Sequence, residues 1–396
     1  MKWIKIGKRQ NLIYPMLTIV FIFFRQIDSI AMNKIIGFDG SLIFPLVMFL
    51  SEFVFGLISY KSHINFKSND NNSKFNLKKL IQFPPTQTPR PDSNFKIYLL
   101  LFFISFFDFT SFAIETLYFP RYINTSKSLK MRLYGLEVII SAFLCYFLLK
   151  LKIYRHQIFS LISLFICLII IIIFEYYFNK YKKGIDEKYY GQILILFTIE
   201  NVLNSFLVVT EKYLLDYDNI NAFQILIYEG LFGIILTLIF SSFENFKGKN
   251  DINGAKNYIL LFIFIFLYFI LSGGRNIYKI ITNKLYSPMT KTLTDYIMNP
   301  IFIVYYYIFD DDFKSGKENE KSSYYFLINI LLSIITVLCG CIYNEFFILY
   351  CFNLEYNTYY EISKRAKKIE KKEEQLLPLE ENVSFSNEYV FNFQQK

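Results

Sequence analysis

Charged side chains inside long apolar stretches are the residues of this sequence that could do chemistry. Asp28, Asp108, Glu137 and Asp295 all lie within such stretches. A charged side chain at the centre of a bilayer costs roughly 2.5–3.5 kcal/mol on insertion scales, so each of these acids needs a partner or a function. We predict that the four converge on one cavity and bind substrate. Asp108 and Glu115, two helical turns apart on one face, could also form a proton relay or a cation site.

A basic pair follows two glycines near the end of another apolar stretch. Arg275 and Lys279 are one helical turn apart and come after Gly273 and Gly274. Glycines permit a helix to break and free its backbone N–H groups, which attract anions. The sequence therefore predicts an anion-facing pair in the substrate site. The alternative interpretation is a positively charged helix end without a ligand.

Seven further residues within or at the ends of apolar stretches are predicted to have structural or gating roles. They are Arg25, Glu52, Glu200, Glu211, Lys212, Glu229 and Gly230. Arg25 and Asp28 share a helical face, and both an internal ion pair and a role in the cavity are open interpretations. Glutamates near the ends of stretches, Glu211 and Glu345 among them, are expected to reach the lipid headgroups or to cap helices.

The sequence contains no pattern of an enzyme active site or of a cysteine–histidine metal site. It has no Gly-x-Ser-x-Gly, no Gly-x-x-x-x-Gly-Lys-Ser/Thr and no His-Glu-x-x-His. Its five cysteines lie within or at the ends of apolar stretches, without a Cys-x-x-Cys pair and partner histidine. We therefore predict no enzyme activity, no cofactor and no metal site. The formal charge of +9 is concentrated in loops and chain ends, so nucleic acid is not expected as a partner.

Ten apolar stretches, each about long enough to cross a bilayer, must position these side chains. A helix needs about 20 residues to cross the hydrocarbon layer, and 54% of the 396 residues are hydrophobic. The predicted spans are 12–32, 41–60, 96–118, 131–150, 155–178, 190–213, 221–243, 256–276, 289–309 and 323–350. The predicted fold class is therefore all-α, a polytopic membrane protein with ten transmembrane helices. Because five is odd, the two sets of five spans form two inverted five-helix repeats.

The spans divide the chain into three regions. Residues 1–185 hold the first five-helix repeat, 186–350 the second, and 351–396 a charged cytosolic tail. The first repeat contains a polar loop, 61–95, which is predicted to be mobile because Asn, Ser and Pro bury little apolar area. The Lys/Glu-rich start of the tail favours a solvated helix. Lys and Arg are more frequent in loops on the side of the N-terminus, so both termini are predicted to be cytosolic.

A motif around the sixth and seventh spans points to a transporter family. Within residues 191–234, a predicted helix begins with Gly and ends with Thr210 followed by an acid–base pair. A Glu-Gly pair follows in the next span. The residues concerned are Glu211, Lys212, Glu229 and Gly230. This run resembles the drug/metabolite transporter superfamily, in particular the F-type branch of solute carrier family 35, which is related to nucleotide-sugar transporters. That branch has Glu-Glu-Lys where this chain has Thr-Glu-Lys.

Three other segments carry the same resemblance. They are residues 43–53 with Glu52, 102–117 with Asp108, and 339–345. Two arginines of the branch are missing, because Tyr134 stands at the helix-four position and no arginine follows Asp295. The resemblance implies that helices one to four and six to nine enclose a central cavity. It also implies that helices five and ten lie at the periphery, where they could mediate a homodimer.

Two functions are weighed on these observations. We predict a secondary transporter that moves a polar or charged metabolite by alternating access, with the lipid bilayer and a small polar solute as partners. The alternative is a transporter-derived structural subunit of a larger membrane complex, which the missing helix-four arginine favours. The resemblance implies an endomembrane location in the Golgi, lysosome or vacuole, and the mitochondrial inner membrane is the second location considered.

Overall fold

The structure is a computed structural model, and it describes residues 4–6, 13–32, 35, 43–67, 93–114, 133–183, 187–242, 258–309, 320–350, 353–358, 361–365 and 368. The helices are α1 (Ile13–Ala31), α2 (Ile43–Lys67), α3 (Asn94–Ala113), α4 (Gly135–Leu148), α5 (Arg155–Lys183), α6 (Glu187–Asp216), α7 (Ala222–Ser241), α8 (Tyr258–Leu285), α9 (Pro288–Tyr296), α10 (Asn299–Phe309) and α11 (Glu320–Tyr343). The strands β1 (Ile4–Ile6) and β2 (Phe347–Leu349) and a 3-10 helix (Leu354–Asn357) complete the regular structure of this part of the chain.

Eight helices of the described residues are long and apolar enough to cross a membrane, judged by length and composition. They are α1, α2, α3, α5, α6, α7, α8 and α11. The fourth predicted span contains the apolar helix α4, which is shorter at 14 residues. The chain is therefore an all-α, multi-pass membrane protein, as the sequence predicts.

The ninth predicted span, 289–309, is not one helix. α9 and α10 are separated by two turn residues after Tyr296. Pro300 explains the break, because proline has no backbone N–H and its ring clashes with the carbonyl four residues earlier, that of Tyr296. The interruption separates the polar α9, which carries Lys291 and Asp295, from the apolar α10.

The polar segments differ in part from their predicted bounds. α2 continues to Lys67, so the predicted loop 61–95 begins later than expected. At its other end Ser93 caps α3, since its Oγ accepts a hydrogen bond from the backbone N–H of Lys96 at 3.4 Å. The remainder of this loop lies outside the described residues. Within the tail, residues 361–365 are helical, in agreement with the predicted solvated helix.

A short strand pair joins the two ends of the helical region. β1 precedes the first helix and β2 follows the last, and the two are antiparallel, with Ile4 opposite Leu349 and Ile6 opposite Phe347. The pairing places the segment before α1 and the segment after α11 on the same side of the helices.

The helices pair across the two halves of the sequence. α1 packs on α8, and α3 packs on α6. α2 contacts α7 and α8, while α7 also contacts α3. α4 packs on α6 and α9, α9 on α1, and α5 on α11. One face of α5 points outward, where Ile162 and Phe165 are 56% and 53% exposed, as expected of a helix that faces lipid.

Helices α2 and α7 approach each other closely at Gly230. A Cβ atom built on this residue would lie 2.5 Å from the backbone nitrogen of Phe53 and 2.7 Å from the backbone oxygen of Phe49. Backbone atoms of a packed helix cannot move aside as the end of a flexible side chain can. Small residues at helix–helix contacts permit such close approach within membranes, and glycine is the residue that fits here.

Replacing Gly230 by alanine is expected to lower the free energy of unfolding by about 1–3 kcal/mol, the usual cost of overpacking. Gly191 of α6 provides the matched control, because a Cβ built there meets nothing within 4 Å. Gly191→Ala is expected to be neutral or stabilising by up to about 1 kcal/mol, since alanine favours helix. Thermal unfolding of both purified variants in detergent measures the difference. Equal melting temperatures would contradict the close approach of α2 and α7.

Candidate functional site

A charged cavity lies between helices of both halves of the chain. Its volume is about 30 Å³, and α2, α3, α6, α7, α8 and α9 contribute to its wall. Four acids line it, namely Glu52, Asp108, Glu211 and Glu229. Three bases also line it, namely Arg275, Lys279 and Lys291. We call this volume the central cavity.

Asp295 joins the two bases that α8 contributes. Its Oδ2 lies 2.7 Å from Nζ of Lys279, and its Oδ1 lies 3.4 Å from Nη2 of Arg275. The three side chains are 14–17% exposed, so water reaches them only in part. The sequence predicted Asp295, Arg275 and Lys279 as site residues separately, and the structure brings them together as one ion-paired group. The two bases therefore face a carboxylate of the protein itself.

A second ion pair connects α6 to α9. Nζ of Lys291 lies 2.6 Å from both carboxylate oxygens of Glu211, and both side chains are 3% exposed. Nδ2 of Asn283 donates a further hydrogen bond to Glu211 Oε2 at 2.8 Å. The expectation that Glu211 reaches toward lipid headgroups is therefore wrong, because a buried ammonium satisfies this carboxylate inside the protein.

Lys212 holds the end of α8. Its Nζ donates to the backbone oxygens of Asn283, Lys284 and Tyr286 at 2.9, 3.0 and 3.3 Å. The last carbonyls of a helix have no partner within the helix, so a buried ammonium at this position stabilises them. Consecutive residues of α6 thus bind the end of α8 and the start of α9. This arrangement fits the predicted structural role of Glu211 and Lys212.

Three acids from three helices meet at one point of the central cavity. Glu52, Asp108 and Glu229 each offer a carboxylate oxygen, and these oxygens all lie within 4.8 Å of one another. Glu52 and Glu229 are buried, and Asp108 is partly buried. Nδ2 of Asn276 donates to Glu52 Oε1 at 2.5 Å. We call Glu52, Asp108 and Glu229 the carboxylate cluster.

Two predicted substrate ligands lie away from this cavity. Asp28 and Glu137 are buried at 6% and 3% exposure, but neither lines it. Glu137 accepts a hydrogen bond from Thr292 of α9 at 3.3 Å, which anchors α4 to the interrupted span. Asp28 lies in the second half of α1, on the same helix as Arg25.

The remaining charged residues singled out from the sequence lie outside the central cavity or outside the described residues. The guanidinium of Arg25 lies 5.8 Å from the centre of the Tyr268 ring, within reach of a cation–π contact. Glu200 is buried in α6. Glu345 is 8% exposed and lies 3.3 Å from Nε2 of His156, so it does not extend toward headgroups as expected. Glu115 lies outside the described residues, as does any pairing with Asp108.

The helix break that Gly273 and Gly274 would permit does not occur. α8 continues without interruption from Tyr258 to Leu285. The rings of Phe55 and Phe21 occupy the space in which Cβ atoms of the two glycines would lie. The pair therefore makes room for aromatic side chains of α2 and α1, and the interruption lies in the ninth span instead.

Sequence reasoning missed Lys291, Asn276 and Asn283. Lys291 lies three residues after Pro288, at the edge of a predicted span, where a lysine commonly acts as a membrane-surface anchor. Pro288 just before the ninth span, with three threonines and Pro300 within it, was the available signal, because this combination marks a polar, interrupted helix. The asparagines gave no comparable signal, since their importance follows from contacts with α2 and α6.

Comparison with known proteins indicates a fold but not a family. No family model matches the chain, and no curated protein matches it. Among solved structures, 23 chains match. One of them, described only as "Crystal structure of protein", is similar with a TM-score of 0.51 over 84% of this chain and 96% of that chain, at 9% identity. A likeness at this identity concerns the fold alone.

Proposed function

We propose that the protein is a secondary transporter that moves a polar or charged solute across a membrane by alternating access. The observation that carries the proposal is the charged central cavity, which helices from both halves of the chain enclose. In secondary transporters the solute binds at such an interface, commonly beside an interrupted helix. Here the ninth span is interrupted between α9 and α10, and α9 contributes Lys291 to the cavity and Asp295 to the adjoining ion-paired group.

The pairing of helices supports the proposal of two inverted five-helix repeats, residues 1–185 and 186–350. Let the first to fifth spans correspond to the sixth to tenth. The contact of α1 with α8 then corresponds to that of α6 with α3, and the contact of α2 with α8 to that of α7 with α3. The contact of α4 with α6 corresponds to that of α9 with α1, and α2–α7 and α5–α11 correspond to themselves. Each of these contacts is thus matched by its counterpart when the two halves of the chain are interchanged, as expected if the second half is a duplicate of the first.

The family and location belong to the same proposal. The sequence motifs favour the drug/metabolite transporter superfamily and its F-type branch of solute carrier family 35, with an endomembrane such as Golgi, lysosome or vacuole as the location. The outward face of α5, and its contact with α11, fit a peripheral position for these two helices and a homodimer formed by them.

One observation favours the alternative, a structural subunit without transport activity. A cavity of about 30 Å³ holds only a few water molecules, since one water needs about 10–15 Å³, so a metabolite does not fit without a change of conformation. Alternating access requires the cavity to widen in another conformation, in which the solute would bind. A structural subunit would keep the small cavity in every conformation.

Reconstitution into proteoliposomes tests the proposal. Solutes that raise the melting temperature of the purified protein would be selected first, from sugars, nucleotides, amino acids and organic cations. We expect at least one of them to accumulate in proteoliposomes above the level in protein-free liposomes and to exchange with unlabelled solute. Folded protein without flux of any solute, together with a stable co-purifying membrane partner, would favour the structural subunit.

A further inference from the structure

The carboxylate cluster raises a question that transport of a metabolite does not answer. Three like charges converge in a wall that also contains the apolar side chains Leu207, Leu226 and Ile280. Charges of one sign repel strongly where water is scarce, so an arrangement of this kind needs positive charge at its centre.

The bases of the central cavity already have carboxylate partners. Lys291 is bound to Glu211, and Arg275 and Lys279 are bound to Asp295. The first pair is neutral, the second group has one positive charge in excess, and the cluster carries three negative charges. The side chains around the cavity thus leave a net charge of two negative units, which one divalent cation would neutralise.

A buried oxygen points to a ligand independently of the charges. Oε1 of Glu52 accepts the hydrogen bond from Asn276, whereas Oε2 is buried and has no hydrogen-bond partner among the described residues. Glu52 itself is 3% exposed and lines the central cavity. A buried carboxylate oxygen without a donor is costly unless a cation or proton binds it.

The geometry fits a metal ion with oxygen ligands. Ca²⁺ binds oxygens at about 2.3–2.6 Å, so two ligands of one ion lie at most about 5 Å apart. The three cluster oxygens lie within 4.8 Å of one another, and a cavity of about 30 Å³ accommodates an ion with a water ligand. Carboxylates and amide oxygens are ligands of Ca²⁺, Mg²⁺ and Mn²⁺ rather than of softer metals.

We propose that Glu52, Asp108 and Glu229 form a binding site for one divalent cation of the Ca²⁺, Mg²⁺ or Mn²⁺ type. The ion would connect α2 and α3 of the first half of the chain to α7 of the second. The sequence predicted no metal site from its cysteine and histidine spacing, and it offered a cation site only as one interpretation of Asp108 with Glu115. This inference goes beyond the proposed function, since a structural subunit could hold the same ion.

Binding of Mn²⁺ to the purified full chain in detergent tests this site. Bound metal is first removed with a chelator, and the chelator is then removed. Mn²⁺ is added in steps, and the loss of the free Mn²⁺ signal in electron paramagnetic resonance gives the number of ions bound per chain. We expect one high-affinity Mn²⁺ per chain, competed by Ca²⁺ or Mg²⁺. Glu52→Gln and Glu229→Gln are each expected to weaken binding by about tenfold or more, since loss of a group that only orients a metal ligand already costs about 10–100-fold in affinity. Asp216→Asn, at the exposed end of α6, should leave binding unchanged.

Thermal unfolding separates loss of a ligand from loss of the fold. The wild-type melting temperature should rise with Mn²⁺, and neither glutamine variant should show that rise. In chelator the variants should melt at or above the wild-type temperature, because each removes a repelling charge. Asp108→Asn replaces either variant that does not fold. Absence of Mn²⁺ binding by the wild type, or equal binding in all variants, would overturn the proposal. Stabilisation of the wild type by acid alone would assign the cluster to protons and also overturn it.

The result is independent of transport. Mn²⁺ binding is measured without a membrane gradient, so its absence leaves the proposed transport function standing. Conversely, proteoliposomes without flux would leave a measured Mn²⁺ site intact.

Discussion

Neutralising Asp108 or Asp295 is expected to reduce solute uptake by proteoliposomes roughly tenfold or more, since each 1.4 kcal/mol of lost site energy is a factor of ten. Asp108 lines the central cavity, and Asp295 binds both bases that α8 contributes to it. In Asp295→Asn, the ammonium of Lys279 loses a carboxylate at 2.7 Å and the guanidinium of Arg275 one at 3.4 Å. The solute would then meet a cavity with altered charge in both variants.

The uptake measurement requires a control of the same chemistry. Asp216→Asn removes a carboxylate at the end of α6, where the side chain is 48% exposed and lies 3.2 Å from Lys212 Nζ. This variant is expected to keep wild-type uptake. Each protein would first be checked for a monodisperse elution profile and unchanged helix content. Undiminished uptake by both Asp108→Asn and Asp295→Asn would remove these acids from the transport site.

Breaking the buried pair between Glu211 and Lys291 is expected to lower the free energy of unfolding by about 3–5 kcal/mol, because the remaining charge is left buried without its partner. The two side chains are 3% exposed and meet at 2.6 Å. Glu211→Met and Lys291→Met each break the pair. The double variant leaves neither charge, so it should be more stable than either single variant. Titration of the folded protein with a denaturing detergent measures the free energies of the wild type and all three variants.

An exposed pair of the same residue types gives the reference value. Lys364 and Glu361 lie 3.4 Å apart, with side-chain exposures of 51% and 20%. Their coupling energy from the corresponding methionine variants is expected to be about 0–1 kcal/mol, as for other exposed pairs. Equal coupling energies for the two pairs would contradict a structural role for the Glu211–Lys291 contact.

The individual helices could be predicted from local sequence, but not all of their bounds. α8 continues to Leu285, nine residues beyond the predicted end, and α11 ends at Tyr343, before β2, although the tenth span was predicted to continue to residue 350. Hydrophobic runs as long as the bilayer is thick mark α2, α3, α6 and α7 without reference to the rest of the chain. The ninth span was the main error. Its many apolar residues predicted one helix, whereas Pro300 and the steric clash with Tyr296 divide it. That signal was local, and so it was available in the sequence.

The partners of the charged residues could not be predicted in the same way. Insertion energetics identified Asp108, Asp295, Arg275 and Lys279 as unusual, because the cost of a charge depends on its depth along one helix. The same argument identified Asp28 and Glu137, which do not line the central cavity. Depth along a helix is a property of the sequence, but the direction that a side chain faces among its neighbours is not.

The sequence alone determined an all-helical membrane protein with costly charges at the depth of the bilayer, because burial of apolar area and the cost of charge act on each helix separately. The tertiary structure decided which charges meet. It placed Lys291 against Glu211, Asp295 against two bases, and three acids around one point. These side chains belong to helices that are distant in the sequence, and they meet because α8 and α9 pack on α1 and α6 while α2 packs on α7. Electrostatic energy depends on distance in space, and only the packed helices fix that distance.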